Sequence, residues 1–314
     1  VQKINEDISA FMEQVVEEEK AIDHQGERVT TFGVSDSNEQ ELFGVCAVGL
    51  DGKTCCGSND RVRFPLESTS KALTLALALE DVGHDEFFRH IGQEPRGDAF
   101  NSAAAIEEGI HGIPSNPMIN AGAIATTAMI HGQNGTERFA RILDFVRRLA
   151  DNDSIDYNHT MYEEEDKDLN RGLFYIMRSH GVLQGREEDK LTPYFKQTSI
   201  EMNCMDLARI AAVFANYGRD LKSGEQLVSE RTVQTVLTLM FTTGMYQASG
   251  QYALEVGMPS KSGISGCIMA VAPGRMGLAT IGPALDESGN SIAGVRILKK
   301  LSQRWQLGVF SRPA

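Results

Sequence analysis

Residues 42–48 read Leu-Phe-Gly-Val-Cys-Ala-Val, a short apolar run that gives way to Asp51-Gly52. A run of this length before a turn pair reads as a buried strand, and Asp-Gly favours a hairpin. Further short strands are predicted over 53–56 and 61–64. Ahead of them, residues 4–20 place Ile8, Phe11, Val15 and Val16 on one side of a surface helix. The period then changes. Apolar positions recur at three- and four-residue spacing over 121–130, 137–150, 170–180 and 204–217, with gaps rich in Gly, Asn or Pro. Ser229 is expected to cap a further helix at Glu230-Arg231-Thr232. Strands return at 266–272, stop at Pro273-Gly274 and resume over 276–281, and a last helix is predicted for 292–305. Strands at both ends with helices between them predict an α/β chain of the α+β kind. One mainly antiparallel sheet would be drawn from both termini and flanked by helices, with an inserted helical subdomain. The expected division is a sheet-containing part, 1–67 and 225–314, and a mostly helical part, 68–224, within a single unit. Neither an internal repeat nor a low-complexity linker interrupts it.

Composition narrows the classes. The chain has 314 residues, 41% of them hydrophobic, which is enough for one large unit or two intimate subdomains with a sizeable core. No segment holds the ~18 uninterrupted apolar residues of a membrane helix, so no membrane partner is expected. The acidic N-terminal stretch lacks the basic start and apolar centre of a signal peptide. A net charge of −13 argues against a nucleic-acid partner and reads as solubility. Five cysteines at irregular spacing, Cys46, Cys55, Cys56, Cys204 and Cys267, fit reduced thiols in a cytoplasmic protein. Cys55-Cys56 has no second Cys/His cluster at zinc spacing, and neither H-E-x-x-H nor a Gly-rich phosphate loop occurs. No metal and no organic cofactor are expected.

The candidate chemistry begins at Phe-Pro-Leu-Glu-Ser-Thr-Ser-Lys, residues 64–71. Ser68 and Lys71 are three residues apart, so a helix puts both on one face. A neutral lysine there could take the hydroxyl proton and activate Ser68. Burial in the Ala- and Leu-rich run and a second nearby cation would both depress the lysine pKa. Lys261-Ser262-Gly263 precedes the apolar strand at Cys267, the layout of the K-[ST]-G element of serine β-lactamases and penicillin-binding proteins. Its strand edge and the Ser68 N–H could form an oxyanion hole.

With these and further motifs in order, the chain resembles the serine-dependent glutaminases, which share the β-lactamase fold. The resemblance runs from about Ile8 to Gln306. It rests on Glu67-Ser68-Thr69-Ser70-Lys71, Glu94-Pro95-Arg96-Gly97 with Phe100-Asn101-Ser102, and Asn116-Pro117-Met118-Ile119-Asn120-Ala121-Gly122-Ala123-Ile124. Gly244-Met245-Tyr246 with Ser249-Gly250, residues 259–266, and Gly289-Asn290-Ser291 with Gly294 complete it. The resemblance implies a hydrolase that converts free L-glutamine to L-glutamate and ammonia. Ser68 would be the nucleophile, Lys71 its base and Tyr246 a second proton-transfer group. Asn120, Glu163, Asn170, Tyr194, Ser262 and Ile264 would bind substrate, Ile264 through its main-chain N–H. Lys261 and Gly263 would support the site. A carboxylate such as Glu163 can pair with the substrate ammonium, while Asn and Tyr donors hold its carboxylate. The same resemblance implies a homodimer or homotetramer.

Three positions depart from the family's pattern. Tyr162 and Leu169 stand where it has serine and arginine, and Phe32 stands where a tyrosine is common. Glu163 is assigned by its seven-residue spacing to Asn170, with Glu164 and Glu165 as alternatives. Two rival readings are a β-lactamase or penicillin-binding enzyme and a non-catalytic amino-acid sensor. Asp166-Lys167-Asp168-Leu169-Asn170 resembles the E-x-E-L-N loop of the first, but no S-D-N triplet precedes it. A sensor would have no need of Ser68, Lys71, Tyr246 and Lys261 together.

Overall fold

The apolar runs near residue 45 and beyond residue 266 meet in one antiparallel sheet. A computed structural model describes residues 6–22, 26–28, 42–58, 61–95 and 112–312. In chain order its elements begin with α1 (Glu6–Lys20), β1 (Glu27–Arg28), β2 (Gly44–Gly49), β3 (Thr54–Ser58) and β4 (Phe64–Pro65). A 3-10 turn (Glu67–Thr69) leads into α2 (Ser70–Val82), α3 (His84–His90), α4 (Asn120–Met129) and α5 (Gly135–Ala150). Then come β5 (Asp156–Tyr157), α6 (His159–Glu164), α7 (Asp168–Ser179), α8 (Glu187–Thr198), β6 (Ile200–Met202) and α9 (Cys204–Ala215). The chain closes with α10 (Glu230–Thr243), a second 3-10 turn (Tyr246–Ala248), α11 (Ser249–Glu255), β7 (Ser260–Ser262), β8 (Cys267–Ala272), β9 (Met276–Ile281), β10 (Ala284–Leu285) and α12 (Ile292–Trp305). Phe32 and the Phe100-Asn101-Ser102 motif lie outside the described residues.

The main sheet has the strand order β3-β2-β9-β8-β7, so strands from both ends of the chain lie side by side, as expected. β2 pairs with β9 in a register that sets Ala47 opposite Leu278. Because side chains alternate along a strand, β8 serves two cores. Cys267, Met269 and Val271 join the helical core with α9, while Ile268, Ala270 and Ala272 join the core under α1 and α12. Burial on both faces explains why this strand reads as a continuous apolar run. At Gly277 a Cβ would stand 2.1 Å from the Ala212 nitrogen, so only glycine lets α9 lie this close to β9.

The structure departs from the sequence expectations at three places. The strand expected over 61–64 contracts to Phe64–Pro65 and pairs with β6, which also pairs with β5. β5 and β6 lie within the stretch read as helical; strands of two and three residues are too short to show a period. The last turn expected of the helix over 204–217 is missing. The helix stops at Ala215, and Tyr217 turns the chain with φ 55°. The cysteine reading is corrected outright. The β2–β3 register sets Cys46 directly opposite Cys56, with Cα atoms 4.1 Å apart, and the two form a disulfide. Cys55, Cys204 and Cys267 are buried and lie outside this bridge. The cysteine argument for a reducing compartment falls with the correction. No helix among the described residues is long and apolar enough to cross a membrane.

Candidate active site

Ser68 sits in the 3-10 turn that leads directly into α2, and Lys71 lies in the first turn of that helix. Helices α4 and α10 pack against α2. Lys71 is therefore 1% exposed, and Ser68 is 8% exposed at the edge of a cavity. The Lys71 ammonium donates to Asn120 Oδ1 at 2.7 Å, and Asn120 Nδ2 donates to Asn170 Oδ1 at 3.1 Å. Burial pulls the Lys71 pKa down from 10.5 to about 7, against the opposing pull of the Glu67 carboxylate. That shift corresponds to about 5 kcal/mol against the ammonium form in place. A large share of Lys71 is then neutral near pH 7, the state a base needs.

The sheet edge closes one side. Lys261 on β7 is fully buried, and its ammonium donates to the carbonyls of Gly244 at 3.0 Å and Ser262 at 2.7 Å. Burial, and then the charge of Lys71, push its pKa well below the usual lysine range. Lys261 Nζ lies 4.0 Å from the centre of the Tyr246 ring, and Lys71 Nζ lies 6.0 Å from it. Tyr246 is buried and hydrogen-bonded to Ser68, and burial raises its pKa. Two non-glycine residues flank Ser68 at positive φ, Glu67 at 48° and Tyr246 at 54°. Such conformations cost energy and gather where a site over-determines the backbone. Gly263 fits the same pattern of close approach. A Cβ there would stand 2.6 Å from the Leu66 carbonyl, so glycine lets the loop after β7 press on the serine turn. Thr69 ties turn and sheet together, with Oγ1 at 3.2 Å from Cys267 Sγ.

The cavity at Ser68 has a volume of 670 Å³. Ser68, Asn120, Asn170, Tyr194 and Ile264 line it, so five of the residues singled out in the sequence share one wall. Lys71, Lys261 and Tyr246 lie behind that wall. Ser262 is fully buried at the end of β7, and its hydroxyl has no hydrogen-bond partner among the described residues. Glu163 is placed elsewhere. It is exposed on α6 and does not line the cavity. The helix ends at Glu164, and Glu165 then leaves it in an extended conformation with ψ 132°. Glu165 lines the cavity, and its Oε2 is buried with no hydrogen-bond partner among the described residues. Burial lifts its pKa to about 7, with Lys167 opposing and Asp166 adding. Among the three glutamates that the sequence left open, Glu164 also lines the cavity but is exposed, so geometry favours the half-buried Glu165.

Glu67 was missed as a site residue. Its carboxyl opens onto the same cavity, and burial and then Glu165 raise its pKa to about 8. The signal was a charged residue next to the nucleophile in an apolar setting. Burial, and then the Glu165 and Glu67 carboxylates, raise the pKa of Tyr194. The described lining of the cavity carries carboxyl, amide and hydroxyl groups and no Lys, Arg or His. Among the described residues no group of three His, Cys, Asp or Glu could hold a metal ion.

Comparison with known proteins gives this geometry a family. The glutaminase family model matches residues 35–310. The chain is 43% identical to a glutaminase of Clostridioides difficile over 93% of this chain and 97% of the relative. It is 45% identical to a glutaminase of Geobacillus thermodenitrificans over 90% of this chain and 91% of the relative. Among solved structures, a Bacillus glutaminase in 4.3 M NaCl superposes with a TM-score of 0.89 at 30% identity, covering 96% of this chain and 99% of that one. Mglu in its glutamate form superposes with a TM-score of 0.91 at 31% identity, covering 99% of this chain and 71% of that one. The chain belongs to the glutaminase family, hydrolases acting on amides, and has their β-lactamase-like fold.

Proposed function

We propose that this protein hydrolyses the side-chain amide of free L-glutamine, giving L-glutamate and ammonia through an acyl-enzyme on Ser68. The observation that supports this most is the buried Lys71 one helical turn from a cavity-lining serine, with its pKa drawn to about 7. Neutral Lys71 takes the proton of Ser68 as Oγ attacks the amide carbon. Main-chain N–H groups of Ser68 and Ile264 receive the oxyanion. Tyr246, kept protonated by burial, donates to the departing nitrogen as the C–N bond breaks, and the proton held on Lys71 restores the phenol. Lys71, neutral again, then takes a proton from water as the water oxygen attacks the acyl carbon. As the tetrahedral intermediate collapses, Lys71 returns that proton to Ser68 Oγ, the ester bond breaks and glutamate leaves.

The cavity chemistry supports an amino-acid amide. Glu165, in the place the sequence gave to Glu163, pairs with the substrate ammonium. Asn170 and Tyr194 supply donors to its carboxylate without adding a cation. The glutamate form of Mglu is a precedent in a structural relative for the product expected here. The test is covalent capture. An electrophilic glutamine analogue should add one equivalent of mass at Ser68, and Ser68→Ala should stay unmodified. A wild-type protein that also stays unmodified, or an adduct at another residue, would remove Ser68 from the mechanism.

A further inference from the structure

The turn that carries Glu165 is shaped by one lysine. Residues 162–167 comprise the end of α6 and its connection to α7, and the Lys167 ammonium folds back over them. It donates to the main-chain carbonyls of Tyr162 and of Glu165, the latter at 3.4 Å. It also lies 4.8 Å from the centre of the Tyr162 ring and 5.6 Å from that of Phe195 on α8. The Tyr162 ring stands edge-on to Tyr157, with centres 5.9 Å apart, and Lys196 lies over both rings. An ammonium has three donors and no acceptor, so two carbonyls and two aromatic faces satisfy it without a carboxylate. Lys167 does not line the Ser68 cavity; it lines a shallow cleft behind the turn with Tyr162, Arg171 and Phe195. The turn thus has an anchored outer side, and its inner side presents the Glu165 carboxyl, one oxygen of which is buried with no hydrogen-bond partner among the described residues.

We propose that Lys167 is a positioning residue for substrate: by pinning the 162–167 turn it sets the Glu165 carboxylate in the cavity, where it receives the ammonium of an amino-acid amide. The inference rests on the glutaminase reading above. Lys167 acts through Glu165 in a second way. Glu165 faces Glu164 and Asp166 on its own segment, Glu67 on the serine turn and Tyr194 on α8. Against these acidic neighbours Lys167 is the cation that favours the ionised carboxylate. Without it, Glu165 keeps its proton to a higher pH.

Three variants test this: Lys167→Met, Lys167→Gln and Lys167→Arg. For each, glutamine KM and kcat are measured across pH, alongside thermal unfolding. In the wild type KM should rise as pH falls through about 7, where Glu165 gains its proton. Lys167→Met should raise KM about ten-fold or more with kcat within a few-fold, the loss of one charge-assisted contact. The pH at which KM rises should also move upward. Lys167→Gln keeps a donor without the charge and should show the pH shift with a smaller rise in KM, and Lys167→Arg should restore both. Unchanged KM and an unchanged pH midpoint in Lys167→Met would overturn the proposal, as would a fall in kcat alone. A carbon-13 titration of the Glu165 carboxyl in Lys167→Met and Lys167→Gln reads the same coupling without turnover. An upward shift there upholds the Lys167–Glu165 link even if glutamine proves not to be the substrate, and no shift refutes it.

Discussion

Lys71 shows how placement can favour the neutral form of a side chain that is ordinarily an acid. Its neutral form is favoured by burial alone, and Asn120 Oδ1 receives its proton donor without adding a charge. If Lys71 is the base, kcat should climb with pH through about 7 as the lysine loses its proton. Lys71→Arg should abolish turnover at every pH, because a guanidinium stays protonated. A measurable kcat in Lys71→Arg would remove the residue from proton transfer. The two glutamates of α6 and its exit make the second prediction at this scale. Glu165→Gln should raise glutamine KM about ten-fold or more with kcat nearly kept, whereas Glu163→Gln should change neither. Equal effects would contradict the placement of Glu165. Ser68 and Lys71 were legible in the sequence because helical geometry fixes a pair three residues apart. Glu165 was not, because the turn that presents it is shaped by Lys167 against Phe195, a contact between segments that no local spacing encodes.

Elements carry the site to the sheet, and glycine sets how closely they meet. Gly263→Ala would drive a Cβ against the Leu66 carbonyl and force the serine turn away from β7. The expected cost is about 1–3 kcal/mol of stability by denaturant unfolding, with a lower kcat from a displaced Ser68. Wild-type stability and turnover in that variant would show that the loop after β7 can move freely. A helix cap offers a separate check on the fold. Asn203 and Asp206 form a reciprocal capping box at the start of α9, so Asn203→Ala should cost about 1 kcal/mol without changing KM. The long strands and helices were readable from period alone: β8, β9 and α12 lie where the apolar pattern put them. The small β4-β6-β5 sheet was hidden because its strands are two or three residues long and pair across intervening helices rather than across a turn.

At the scale of the whole molecule, strands from early and late in the chain close one sheet, and Ser68 stands where that sheet meets the helical core. β2 beside β9 joins residues more than two hundred positions apart, so the sheet beside Ser68 draws on both parts of the chain. The Cys46–Cys56 bridge spans the neighbouring hairpin and closes a short loop. Replacing both cysteines by alanine should lower unfolding stability by about 2–3 kcal/mol, read as an earlier guanidinium midpoint. An unchanged midpoint would mean the bridge adds nothing to the folded state. The sequence concealed this bond because facing positions on a hairpin depend on register, and five irregularly spaced cysteines do not give one. The most direct test of the account is ammonia release from free L-glutamine by the purified protein, with Ser68→Ala measured beside it. The account predicts sustained release by the wild type and none above background by the variant. Release by both would refute the acyl-enzyme on Ser68, and release by neither would refute free glutamine as the substrate.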